Sequence, residues 1–119
     1  MADPLVYLEL PSTDLSASKL FYDRAFGWQV DLHGEDYAEY EAGEQAVSVG
    51  FNHVAPGEDR PEARPLPYIK VDDIDARLAE ITAAGGTLIK PKTKISDVYG
   101  CYALFADPCG SVLGLWSKS

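Results

Sequence analysis

From Leu5 to Pro11 the side chains alternate: Leu8 and Leu10 fall on one side of an extended chain, and Tyr7, Glu9 and Pro11 fall on the other. A period of two marks a strand with one face in the core. Ser12, Thr13 and Asp14 follow as candidate N-caps, whose side-chain oxygens can accept from the unpaired N–H groups of a first helical turn. They predict a helix from Leu15 to Phe26, ended by Gly27. Trp28–His33, Tyr37–Ala42 and Gln45–Asn52 predict three strands, turned by Gly34-Glu35-Asp36 and by Gly43-Glu44.

The same plan then recurs. A shift of 59 positions brings Asp73 onto Asp14 and Gly86 onto Gly27. A strand opens at Leu66, and Ile74, Leu78 and Ile81 at i, i+4 and i+7 predict a helix from Ile74 to Ala84. Gly85-Gly86 stop it, Thr87–Lys90 is a strand, and Pro91–Gly100 is expected as a loop. Cys101–Ala106 and Ser111–Ser117 predict a last hairpin on Asp107-Pro108-Cys109-Gly110. Residues 53–65, with Pro56, Gly57, Pro61, Pro65 and several charges, are expected as a linker. The pattern therefore predicts one α+β domain over 1–119, with module 1 at about 5–52 and module 2 at about 66–117. Each module is βαβββ. Their sheets are expected to join into a curved, mostly antiparallel cup with helices outside and polar strand faces within.

Composition narrows the partners. Nineteen Asp and Glu against ten Lys and Arg leave a formal charge of −9, which disfavours nucleic acid and anionic membranes. No apolar run approaches the ~20 residues that cross a bilayer, and the N-terminus lacks a basic leader. A cytoplasmic protein is expected. Cys101 and Cys109 are expected as unpaired thiols. No nucleophile elbow, phosphate-binding loop or dinucleotide fingerprint occurs.

Asp14-Leu15 followed by Phe21-Tyr22 and Phe26-Gly27-Trp28, then Val71-Asp72-Asp73-Ile74 ending in Gly85-Gly86, then Phe105-Ala106-Asp107-Pro108-Cys109-Gly110, together resemble the vicinal oxygen chelate superfamily. This is the glyoxalase I, bleomycin-resistance and extradiol dioxygenase group, and the similarity covers nearly the whole chain. The resemblance implies the paired-module fold and a homodimer. It also implies a divalent metal held by His and Glu from the first and last strands of each module. The first His position, seven residues before the helix-opening Asp, is Tyr7, and its counterpart before Asp73 is Leu66. The Glu positions fall near Ser48 and on Gly114. None is a metal ligand of that kind, and His33 and His53 lie elsewhere and are expected at the surface. No metal site and no cofactor is therefore expected.

Alternation places Tyr7, Glu9, Ser48, Gly50, Tyr68, Lys70, Val112, Gly114 and Trp116 on the inner faces. Tyr7, Glu9, Ser48, Tyr68, Lys70, Gly114 and Trp116 are the candidate ligand-binding residues. Glu9 and Lys70 occupy comparable points of the repeat: an ion pair is the plain reading, and a general acid or base at Glu9 is the sharper one. Tyr68 and Trp116 either stack on a planar ligand or fill the cup or a dimer seam. Phe21, Tyr22, Phe26 and Trp28 are assigned to the core, and Asp72, Asp73 and Asp75 to a helix cap. The expected function is metal-free binding of a small organic molecule. The alternatives are a metal-dependent lyase or dioxygenase with relocated ligands, such as Glu9 and a histidine, and a non-catalytic interaction module.

Overall fold

A computed structural model describes residues 2–43 and 46–119. The elements are β1 (Leu5–Ser12), α1 (Leu15–Phe26), β2 (Asp31–His33), β3 (Tyr37–Tyr40) and β4 (Ser48–His53), then β5 (Leu66–Lys70), α2 (Ile74–Ala83), β6 (Thr87–Ser96), β7 (Gly100–Ala106) and β8 (Val112–Ser117). The fold is α+β, and the βαβββ plan appears twice. By contacts the chain divides into two compact units, 6–66 and 67–119, the second also taking the N-terminal stretch to Leu5.

In the first module the strand order is β2-β3-β4-β1, with β1 and β4 parallel and the other pairs antiparallel. Asp14 caps α1 by accepting from the Ala17 N–H at 3.1 Å, and Gly27 ends the helix at φ 71, a left-handed conformation that costs glycine little. The core joins Leu15, Val30, Ala38, Val49 and Phe51, with Leu8 and Leu10 packed against it. The alternation of β1 thus holds.

The second module repeats this plan. Its order is β5-β8-β7-β6, β5 and β8 are parallel, and Asp73 caps α2 by accepting from the Ala76 N–H. Its core gathers Val71, Ile74, Ala103, Phe105 and Leu115, with Leu78 and Ile81 along the inner stripe of α2.

Several boundaries differ from expectation, each for a local reason. Trp28–Val30 is not strand, because Val30 donates its N–H to Asp23 (2.9 Å) and its carbonyl accepts from Lys19 Nζ (2.6 Å), so α1 side chains take the groups a ladder would use. β3 stops at Tyr40, and the Ala42 N–H goes to Ser48 Oγ at 3.1 Å. The expected turn residue Glu44 and strand start Gln45 lie outside the described residues. β6 runs through Pro91 to Ser96 instead of yielding to a loop, since Pro91 falls where the β6–β7 register shifts and β6 ends its module's order. A missing N–H is tolerated there.

Residues 53–65 are packed and not a plain linker. Val54 is buried and donates its N–H to Ser12 O, Asn52 Nδ2 donates to Glu62 O at 3.0 Å, and Arg60 pairs with both Glu58 and Glu62 around a 3-10 turn at Pro61–Ala63. Two aromatics assigned to the core are outside it: Phe21 is 57% and Phe26 63% exposed, while Tyr22 and Trp28 are partly buried against the core. Phe21 sits about 100° around α1 from the inward Tyr22.

The two caps give a direct test. Asp14→Ala and Asp73→Ala should each cost about 1 kcal/mol by removing the one side-chain acceptor at a helix start. Urea unfolding checks both, and stabilities unchanged from the parent would contradict the capping role.

Candidate functional site

Because strand residues alternate, the faces turned away from α1 and α2 carry the residues the cores do not use. In the first module the register pairs Tyr7 with Ser48, Glu9 with Gly50, Tyr37 with Asn52 and Glu39 with Gly50. All share one face. The Tyr7 and Tyr37 hydroxyls are in hydrogen-bond contact, and the Tyr7 hydroxyl donates to Glu39 Oε2 at 3.2 Å. Since that proton goes to Glu39, Tyr37 is the donor in the pair. Burial first, then the Tyr37 hydroxyl and the Glu39 carboxylate, push the Tyr7 phenol far above the usual tyrosine range. It is therefore a neutral donor and not a phenolate.

Gly50 makes this cluster possible, since a Cβ there would collide with both hydroxyls. Tyr37, Glu39 and Asn52 were not among the candidates drawn from the sequence. Their signal was present in the alternation of Tyr37 and Glu39 with Ala38, but the strand pairing was needed to bring them over Gly50.

In the second module the same face holds Tyr68, Lys70, Tyr102, Gly114 and Trp116 through the pairs Tyr68–Gly114, Lys70–Trp116 and Tyr102–Trp116. The Tyr68 ring lies against Gly114, where a Cβ would strike it. Tyr68 also meets Tyr102 edge to face, centroids 6.5 Å apart. Lys70 Nζ stands 5.9 Å from the Trp116 ring centroid. The sequence candidates thus fall into two groups, Tyr7, Glu9 and Ser48 on one face and Tyr68, Lys70, Gly114 and Trp116 on the other, while Tyr102 was missed.

Register also sharpens the repeat. The 59-residue shift matches Tyr68 to Glu9, and these pair with Gly114 and Gly50, so Gly50, two residues past Ser48, is the counterpart of Gly114.

These positions do not fit a divalent metal. Tyr7 is a protonated phenol committed to Glu39, Ser48 Oγ accepts from Ala42 N–H, Leu66 is an alkyl group 1% exposed, and Gly50 and Gly114 have no side chain and are overlaid by tyrosines. Among the described residues no three His, Cys, Asp or Glu groups are placed to hold a metal ion. Both histidines are exposed. His53 lines a shallow cleft of about 340 Å³ at the start of α1 with Thr13, Ser16 and Glu35. That cleft is apart from the Tyr7 cluster, and Asp14 in it is engaged in capping. Cys101 is buried, Cys109 is exposed, and both are free.

Residues 5–115 match the sequence profile of the Glyoxalase/Bleomycin resistance protein/Dioxygenase superfamily. The chain belongs to that superfamily. CFP32 of Mycobacterium tuberculosis (strain CDC 1551 / Oshkosh), which bears a provisional glyoxylase name, is 34% identical over 121 residues, 95% of this chain and 45% of that protein. The anthracycline biosynthesis protein DnrV of Streptomyces peucetius is 28% identical over 130 residues, 94% of this chain and 46% of that one. The chain thus spans about half the length of these curated relatives. The Mn(II)-bound glyoxalase of Novosphingobium aromaticivorans superposes with a TM-score of 0.68 at 20% identity, over 96% of this chain and 38% of that one. At that identity the likeness is one of fold. Within the glyoxalase superfamily, this member has glycine and tyrosine at positions where the resemblance leads one to expect carboxylate and imidazole.

Gly50→Ala should cost about 1–3 kcal/mol through the displaced tyrosine pair, and adding Tyr37→Leu should return part of that loss. Chemical denaturation of the single and double variants measures the coupling, and strict additivity would refute the contact. Tyr7 gives a second test. Unfolded, it ionises near 10.0, whereas folded it stays neutral well beyond. Its contribution is complete below about pH 10 and is lost as pH rises, at about 1.4 kcal/mol per pH unit. Tyr7→Phe should flatten the alkaline fall in stability by that slope, measured as the difference between the two proteins' urea midpoints.

Proposed function

We propose that this chain is a glyoxalase-superfamily protein that binds a small, partly aromatic organic molecule on the polar-aromatic faces of its strands, without a divalent metal. The observation that carries this reading is the exchange of metal donors for tyrosine at Gly50 and Gly114, which replaces charge-dense ligands with ring surface and hydroxyl groups. Flat rings and a few fixed polar groups suit an aromatic ligand. A relative named for anthracycline biosynthesis agrees with such chemistry. A metal-dependent lyase or dioxygenase would need relocated ligands, and Glu9 lies opposite Gly50 while His53 of the same ladder stands three pairs on, opposite Ser12, where alternation turns it to the other face.

The protein acts in the cytoplasm as a homodimer. No helix among the described residues is long and apolar enough to cross a membrane. Leu20, Phe21 and Phe26 leave an apolar surface on α1 that a second copy would cover.

Elemental analysis of protein purified without a metal column should find only substoichiometric metal. Stoichiometric Ni, Zn, Fe or Mn, lost on chelation together with an activity, would overturn the metal-free reading. Light scattering should give a mass near twice 13.0 kDa, and Phe21→Ser with Phe26→Ser should lower it. A single species of monomer mass at micromolar concentration would refute the dimer.

A further inference from the structure

Residues 55–64 are stitched to themselves. The Glu58 N–H donates to Ala55 O at 3.1 Å and the Ala55 N–H to Glu58 Oε1 at 3.0 Å, while the Ala63 and Arg64 N–H groups donate to Arg60 O and Pro61 O. Arg60 holds the Glu58 and Glu62 carboxylates, and Arg64 holds Asp59. These bonds all close inside the segment, so it can move as one body without giving any of them up. Buried Val54 marks its near end, with the Val54 N–H on Ser12 O at 2.9 Å.

Where the segment meets the strands, the fit is incomplete. Asn52 Nδ2 donates to Glu62 O at 3.0 Å, and Asn52 Oδ1 is buried with no hydrogen-bond donor among the described residues. An unsatisfied buried oxygen costs at least as much as one ordinary hydrogen bond contributes. Lifting the segment breaks the Asn52–Glu62 bond, whose two ends water can take up, and releases the oxygen to a donor. The two effects offset each other. Beside that contact a cleft of about 300 Å³ runs between the segment and the end of β1, with Pro11, Thr13, Gly57 and Ala63 on its walls. Asn52 stands opposite Pro11 in one strand pair and Tyr37 in the other, on the face that carries Glu39 and Gly50.

We propose that residues 55–64 are a lid on the first module's strand face, which swings out about Val54 and Pro65 to admit a ligand, and that the Asn52 oxygen then accepts a hydrogen bond from that ligand. The inference rests on the small-molecule reading above and adds a moving element and the ligand's polarity. Tyr37, opposite Asn52, does not serve as the donor, because its proton goes to Tyr7 and that of Tyr7 to Glu39. The ligand therefore brings an N–H or O–H of its own.

NMR relaxation dispersion on the full chain should show millisecond exchange at the backbone amides of Gly57 and Asp59 and at the Asn52 side-chain amide, and none at Phe51 in the β3–β4 ladder. The Ala63 and Arg64 amides, bonded within the lid, should keep hydrogen-exchange protection factors at least about tenfold above that of the Asn52 side chain. Asn52→Asp removes the donor to Glu62 O and should raise the open population at least about threefold. Flat dispersion profiles across 55–64 in the parent protein, or loss of the Ala63 and Arg64 protection together with that of Asn52, would overturn the lid. Phenol and anisole share a ring and differ in one donor. Phenol should shift the Asn52 side-chain signal with a Kd at least about threefold below that of anisole, and equal values would overturn the Asn52 contact. Binding of both fragments at Tyr68 or Trp116 instead would sink that contact and leave the small-molecule reading standing. Failure of a broad fragment set at both faces would sink the small-molecule reading, while the relaxation profile still decides the lid.

Discussion

The absence of a Cβ at one place in each module governs the strand faces turned away from the helices. Gly50 and Gly114 are equivalent through the pairing of β4 with β1 and of β8 with β5, and each lies under tyrosine. A strand side chain at either point would stand up from the sheet into volume that the Tyr7–Tyr37 hydroxyls or the Tyr68 ring now fill. Because the two glycines give way to rings, a carboxylate at these positions and the tyrosine arrangement exclude each other. The chemistry of the surface follows from that exclusion more than from any single polar residue.

Once the phenols lie over the strands, their polar groups need partners, since a buried hydroxyl without one costs on the order of 1–3 kcal/mol. The first module answers with a carboxylate: Glu39 accepts from Tyr7, and Tyr7 accepts from Tyr37. In the second, the ring over Gly114 is Tyr68, and its edge-to-face neighbour Tyr102 accepts from the Lys90 ammonium. A phenol thus meets a carboxylate in the first module and another meets an ammonium in the second. Duplication has preserved the backbone plan while the two faces have separated in chemistry.

Much of this was legible along the chain. The caps Asp14 and Asp73, the stop at Gly27 and the inward Leu8 and Leu10 follow from short-range rules, and the structure agrees with them. What misled was context. Phe21 and Phe26 are apolar, but a 12-residue helix buries only one stripe. Pro91 normally ends a strand, yet at a register shift on β6 it interrupts nothing. Val30 was expected in a ladder until Lys19 and Asp23 took its backbone groups. For Val30 and Pro91 residues elsewhere in the chain set the outcome, and for the two phenylalanines the orientation of α1 on the core did.

The sequence by itself determined the repeated βαβββ plan, the helix termini, the sides of β1 and the loss of the metal-ligand residue types, because these depend on periodicity, capping and side-chain identity within a few residues. Only the tertiary structure decided that Gly50 is the partner of Gly114 in the repeat, that Tyr37 and Glu39 join Tyr7, and that Tyr102 shares a face with Tyr68 and Trp116. Those are matters of strand register. A slip of one residue sends every side chain to the opposite face, and that choice is made by the packing of whole strands, which no local stretch encodes.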